Sequence, residues 1–186
     1  MPKISTYSTV TPADSDLVLI TDASDSNNTR NVTVGALRSS GIPTTFAYTE
    51  IYDPTSGGVT TISVTNTFYP LAVTAIQGAN NDATLTYTAA GVITNTGASR
   101  TFLVSYWASA SSGNNNNLMF RIAKNTVTIA YSESDTITVN NAKASTCSNS
   151  VILTLAQNDT VQLYCANATA TQSITLEHFN LIVRQV

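Results

Sequence analysis

Charge is scarce in this chain of 186 residues: Asp, Glu, Lys and Arg supply 10% of it, against about 25% in an average soluble domain. The 8 Lys+Arg are outnumbered by 11 Asp+Glu, for a formal net charge of -3. So few cations cannot neutralise a run of phosphates, and no nucleic-acid partner is expected. Histidine occurs once, at His178, and cysteine twice, at Cys147 and Cys165. That is too little for a four-ligand zinc site, and no metal or other cofactor is expected. The sequence has neither a Gly-x-Ser-x-Gly elbow nor a Gly-rich phosphate loop, so neither nucleophilic hydrolysis nor nucleotide chemistry is foreseen. The longest apolar run, Leu17 to Ile20, is far too short to span a bilayer, and no membrane insertion is expected. Residues 1–6 carry one cation and no apolar core. A secretory signal is therefore not expected, and the protein should work in the cytosol or leave by lysis. In reducing cytosol Cys147 and Cys165 are expected to be small buried hydrophobes, and the sequons at Asn27, Asn31, Asn158 and Asn167 to be chance.

What the chain has in abundance is uncharged polarity: 31 Thr, 20 Ser and 18 Asn, together more than a third of it. Threonine and the other β-branched residues suit a pleated surface, and threonine gives a strand a polar outer face without spending charge. Val, Ile, Thr, Tyr and Phe recur in short segments separated by Gly, Asn, Asp and Ser, and capped helical patterns are nearly missing. The chain reads as all-β.

Residues 1–44 stand apart from 45–186. They hold Asp14, Asp16, Asp22 and Asp25 and two plausible strands, 17–21 and 30–34, around a polar turn. A short helical turn over 34–38 with Thr33 as its cap could follow, and Gly41-Ile42-Pro43 reads as a linker. A unit this small buries too little to be stable alone and should order against a partner or against its own trimer mates. The four aspartates lack calcium-loop spacing and read as a solvated turn.

Beyond residue 45, strands are expected near 46–52, 59–65, 68–76, 84–89, 91–95, 100–109, 118–124, 126–131, 136–139, 150–156, 160–166 and 173–185, a density that means a sandwich or barrel. Period-two alternation places Phe102, Val104, Tyr106 and Ala108 on one face, as it does Phe120 with Ile122, Val151 with Leu153 and Leu155, and Val161 with Leu163 and Cys165. Asn125 and the Gln157-Asn158-Asp159 run both read as hairpin turns. The closing segment 174–183 has contiguous Leu181, Ile182 and Val183, apolar on both faces. Its second face needs a cover, and a subunit interface would supply one.

Candidate chemistry is thin. The acids of the larger part, Glu50, Asp53, Asp82, Glu133, Asp135, Asp159 and Glu177, form no recognisable catalytic pair. His178 reads as a packing residue, and an enzyme is not expected. Carbohydrate is the candidate ligand, with Trp107 as a stacking platform and Asn115 and Asn116 in a polar loop as hydrogen-bonding groups, although an outward Trp107 could equally meet a subunit or a loop and the Asn run reads most simply as solvated.

Two stretches resemble known families. Phe102-Leu103-Val104-Ser105-Tyr106, Phe120-Arg121-Ile122-Ala123-Lys124-Asn125, the run from Leu153 to Leu163 with its Asn158-Asp159 turn, and the closing Phe179 to Val183 are similar to the tumour-necrosis-factor-like and complement-like jelly roll. Where that family commonly has glycine after the Lys-Asn pair, this chain has Thr126. Thr11 to Asp22, with Asn31 to Leu37, resembles the virion-anchoring segment at the start of many tailed-bacteriophage fibre and accessory proteins.

The resemblances imply an antiparallel jelly-roll head, residues 45–186, preceded by an anchoring segment and linker, residues 1–44. They imply a homotrimer on a virion, assembled in host cytoplasm, bound through its N-terminus to capsid or tail proteins as a capsid decoration or head fibre. The alternative is a short receptor-binding tail fibre recognising host-surface glycan. Asp16, Leu17, Val18, Leu19, Ile20, Val32, Val34 and Leu37 are the expected anchor residues, and Tyr106, Phe179, Leu181 and Val183 the expected trimer interface.

Overall fold

The computed structural model describes residues 13, 15–22, 28–35, 46–139 and 144–186. The chain divides into two compact units, Met1–Thr45 and Phe46–Val186. In the first, β1 (Leu17–Asp22) and β2 (Asn28–Thr33) form an antiparallel ribbon with Leu17 opposite Thr33. Residues 34 and 35 continue as a helical turn, tied back by Val34 N–H donating to the Asp16 carbonyl at 2.8 Å. The remainder of the expected helix, Leu37 included, lies outside the described residues.

The larger unit is a sandwich of two antiparallel sheets. One has the strand order β13 (Ser145–Leu155), β9 (Arg100–Ser111), β15 (Ile174–Gln185), β3 (Tyr48–Asp53), β6 (Ile76–Asn80), with β4 (Val59–Thr60) beside the start of β15. The other runs β11 (Val127–Thr128), β10 (Asn117–Lys124), β14 (Thr160–Asn167), β8 (Ile93–Asn95), β7 (Leu85–Tyr87). β12 (Ser134–Ile137) pairs with β10, and β5 (Tyr69–Pro70) with β14.

Alternation decides what lies between the sheets. Phe102, Val104, Tyr106 and Ala108 of β9, Val151, Leu153 and Leu155 of β13, and Leu181 and Val183 of β15 face Phe120, Ile122, Val161, Leu163 and Cys165 of the other sheet, and all are buried. Fully burying one such aliphatic or aromatic side chain contributes roughly 1.5–3 kcal/mol, so this layer dominates the stability of the unit.

The connections depart from the sequence reading in instructive ways. Asn125 and Thr126, with φ of 50° and 69°, close the two-residue turn of a true hairpin, since Lys124 pairs with Val127. The turn at 157–159 forms as expected, with Asn158 at φ 66° and Asp159 N–H donating to the Ala156 carbonyl. It is not a hairpin, because β13 pairs with β9 and β14 with β10, so this turn carries the chain from one sheet to the other. Between 59 and 80 the expected long strands are only two-residue pairings at β4 and β5, followed by β6. There Ile62, Leu71 and Ala75 are buried from loops, so burial was satisfied without ladder hydrogen bonds.

Candidate functional site

The outer face of the six-stranded sheet is the feature that the fold leaves unused. β15 runs between β9 and β3, and its outward residues align across all four long strands. Tyr52, Asn180, Trp107 and Ser148 form one row; Glu50, Ile182, Ser105 and Ser150 form the next; Tyr48, Arg184, Leu103 and Ile152 form a third. Threonine and serine keep the rim polar, while Trp107 is 42% exposed and Ile152 61% exposed. Tyr48, Leu103, Ser105, Ile182 and Arg184 surround a shallow hollow of about 240 Å³.

Two charged side chains stand in these rows, Glu50 and Arg184. The Glu50 carboxylate accepts hydrogen bonds from the Tyr48 hydroxyl, at 3.0 Å, and from the Asn180 amide. Partial burial, with the nearby Glu50 carboxylate, raises the Tyr48 hydroxyl above its ordinary pKa. A bulge between Leu176 and His178 on β15 shifts the register against β9 and brings the imidazole onto Trp107, with ring centroids 5.8 Å apart and planes 22° apart. The two rings stack across neighbouring strands, each limiting the freedom of the other.

The structure corrects the expected trimer interface. Tyr106, Phe179, Leu181 and Val183 are all buried in the chain's own sandwich, because the two-residue period turns them inward. The Tyr106 hydroxyl even crosses to the opposite layer, donating to the carbonyls of Phe120 at 3.1 Å and Ser132 at 3.2 Å. Burial, together with the Cys147 thiol nearby, pushes its pKa well above the ordinary tyrosine value. What β15 offers outward is His178, Asn180, Ile182 and Arg184. Their signal in the sequence was the unclaimed phase of the same alternation.

Asn116 is also corrected as a ligand residue. It is 2% exposed, and its amide donates to Gln172 Oε1 at 2.7 Å and Ser112 Oγ at 3.2 Å while its N–H meets the Thr138 hydroxyl. Asn116 therefore organises the loop. Asn115 is exposed at its tip with φ 54°, and its N–H donates to the Thr138 carbonyl at 2.7 Å. Trp107 stands on the outer face of β9, Asn115 at the tip of the loop that follows that strand, and Asn116 is buried beneath it.

In the N-terminal unit Leu17 and Val18, successive residues of β1, are both exposed, so the ribbon shows apolar groups on both of its faces. Asp16 precedes β1 and its carboxylate accepts from Ala13 N–H at 2.8 Å; Leu19 and Ile20 lie within β1, Val32 pairs with Val18 from β2, and Val34 follows the end of β2.

Both thiols are buried and free, and burial pushes each up to about 12, for Cys147 with help from the neighbouring Cys165 and Asp135. Such thiols are almost entirely protonated at neutral pH and make poor nucleophiles. Among the described residues no group of three or more His, Cys, Asp or Glu is placed to hold a metal, and no helix is long and apolar enough to cross a membrane.

No protein-family model matches this sequence, and no curated protein matches it. Solved structures do match its fold. Vertex protein P5 of PRD1 is similar with a TM-score of 0.51 at 14% identity, over 75% of this chain and 96% of that one. Murine APRIL at pH 8.5 is similar with a TM-score of 0.53 at 9% identity, over 75% and 99%. Eiger TNF from S. frugiperda is similar with a TM-score of 0.50 at 16% identity, over 76% and 93%. The larger unit is an antiparallel jelly roll of the tumour-necrosis-factor-like kind. At these identities the likeness is one of fold alone.

Proposed function

We propose that this chain is a non-enzymatic structural protein of a bacteriophage virion, a homotrimeric capsid decoration or head fibre held on the particle by residues 1–44. The observation that carries the proposal is the outer face of the six-stranded sheet. Tyr52, Trp107 and Ile152 are exposed there around Leu103 and Ile182, with Glu50 and Arg184 as the charged groups of the same rows. Exposed apolar and aromatic side chains gathered on one sheet face and rimmed by polar groups are what an interaction surface presents. A phage vertex protein shares the fold, which supports the virion reading. The N-terminal resemblance supplies the anchor, and the exposed Leu17 and Val18 supply apolar surface for it. Three weak anchors joined in one trimer gain effective concentration at a symmetric site on a capsid.

Light scattering tests assembly: the expected mass is three times 19.6 kDa, and a monomer at working concentration refutes the trimer. Particle binding tests the anchor. Full chains carrying Leu17→Asp and Val18→Asp are expected to remain trimers and to lose attachment to particles. Attachment at the original level would remove residues 1–44 from that role.

A second reading, a receptor-binding protein for host-surface glycan, is favoured by the exposed Trp107 stacked on His178. It competes with the first for the same surface. Specific glycan-array binding abolished by Trp107→Ala would select it.

A further inference from the structure

The ionised side chains of the larger unit are nearly all satisfied within the chain. Arg100 meets Asp82 at 2.6 Å, Arg121 meets Glu133 at 2.6 Å and Lys124 meets Asp159 at 2.7 Å. Glu50 is held by Tyr48 and Asn180, Asp53 by Thr55 and Thr74, and Glu177 by Ser111. Among the described residues of this unit one cation and one carboxylate remain without a hydrogen bond or ion pair from their side chains, Arg184 and Asp135. They do not serve each other. Arg184 sits on β15 in the middle of the six-stranded sheet, and Asp135 on β12 at the edge of the other sheet.

The two residues have matching surroundings. Two positions before Arg184, on the same outer face, is Ile182, and between Ile182, Leu103 and Tyr48 lies the hollow. Two positions after Asp135, on the same side of β12, is Ile137, which is 59% exposed, followed by exposed Val139. Strand residues two apart are spaced by roughly 6.4–6.8 Å on any strand. A carboxylate and an isoleucine on the edge are therefore opposite in charge to, and compatible in spacing with, a guanidinium and an isoleucine on the face.

We propose that in the assembled protein Asp135 of one copy pairs with Arg184 of the next, while Ile137 seats in the hollow beside Ile182 and Leu103. This rests on the homotrimer reading above. The two patches are different, so the contact is heterologous, and repeating it about an axis closes a ring in which every copy gives one edge and receives one. The charge pair fixes the register at which the edge of one copy meets the face of its neighbour, as complementary charges commonly do at interfaces.

The test uses the full chain in analytical ultracentrifugation across a dilution series, with circular dichroism confirming the fold of each variant. Arg184→Glu and Asp135→Arg are each expected to raise the concentration at half-dissociation by about tenfold or more, because each sets like charges against one another. Combined, they restore an opposite pair and should return assembly to within about threefold of the wild type. Arg184→Gln and Asp135→Asn, which add no repulsion, should weaken assembly less than the reversals do. Folded reversals that assemble as tightly as wild type overturn the pairing and leave the trimer standing. A double variant no tighter than the single ones also overturns it, since the charges then act separately. A wild-type monomer removes the trimer and this pairing together.

Discussion

Replacing Tyr106 by Phe separates a core role from an interface role in one experiment. The ring is 3% exposed, and its hydroxyl lies within hydrogen-bond distance of two carbonyls from the opposite layer, those of Phe120 and Ser132. One proton serves one carbonyl at a time, so the substitution removes one net hydrogen bond and leaves a buried acceptor poorer. A buried neutral hydrogen bond contributes about 1 kcal/mol net, and stranding its partner adds to the cost, so a loss of about 1–2 kcal/mol is expected. For a chain of this length each kcal/mol lowers Tm by about 2–4 °C, giving a fall of about 2–8 °C. The assay is urea and thermal unfolding at two protein concentrations tenfold apart, with the solution mass measured on the same samples. The loss should be the same at both concentrations and the mass unchanged. A Tm within about 1 °C of wild type, or a drop in oligomer mass without loss of fold, would refute the placement of Tyr106 in the core.

Thr126 adopts φ 69° in the β10–β11 turn, a conformation that costs a β-branched residue about 1–2 kcal/mol. Thr126→Gly should stabilise by about 0.5–1 kcal/mol after the entropy of glycine is subtracted, read as a higher urea midpoint. A Cβ added at Gly58 would lie 2.1 Å from the Ala72 carbonyl oxygen. Gly58→Ala should therefore cost about 3 kcal/mol by denaturant unfolding. Gly57→Ala, in open space at φ 92°, should cost about 1–2 kcal/mol, and equal effects at the two sites would contradict the steric account. The Lys124 ammonium and Asn125 amide beside Asp159, with Ala156 N–H, hold its carboxyl down to about 2. A depressed folded value means that its stabilisation is present above the unfolded value near 3.9 and is lost as pH falls toward about 2. Asp159→Asn should flatten the acid limb of the stability profile between about pH 4 and 2, and a profile as steep as wild type there would count against the pairing.

The legible part of the fold was the part governed by alternation. On β9, β10 and β14 and the second half of β13, an apolar residue recurs at every second position, and the inward set named from sequence is buried. Where alternation failed, so did the reading. β13 begins at Ser145, earlier than expected, through a stretch whose single inward apolar group is Cys147. β6, with the sequence IQGAN and mostly exposed, carries no apolar phase at all. It forms because β3 offers it an edge to pair with.

The candidate site divides in the same way. Sequence established that the last strand is apolar on both faces, that the chain has few charges to place, and that Asn125 and Asn158 lie in turns, since these follow from side-chain type and local backbone preference. Which face of β15 meets the core, which residues stand across from it on β9 and β3, and that Arg184 and Asp135 lack partners within the chain were decided by tertiary structure. The first two depend on strands brought together from 50 or more positions away, and pairing at that range leaves no trace in the local pattern of any one segment.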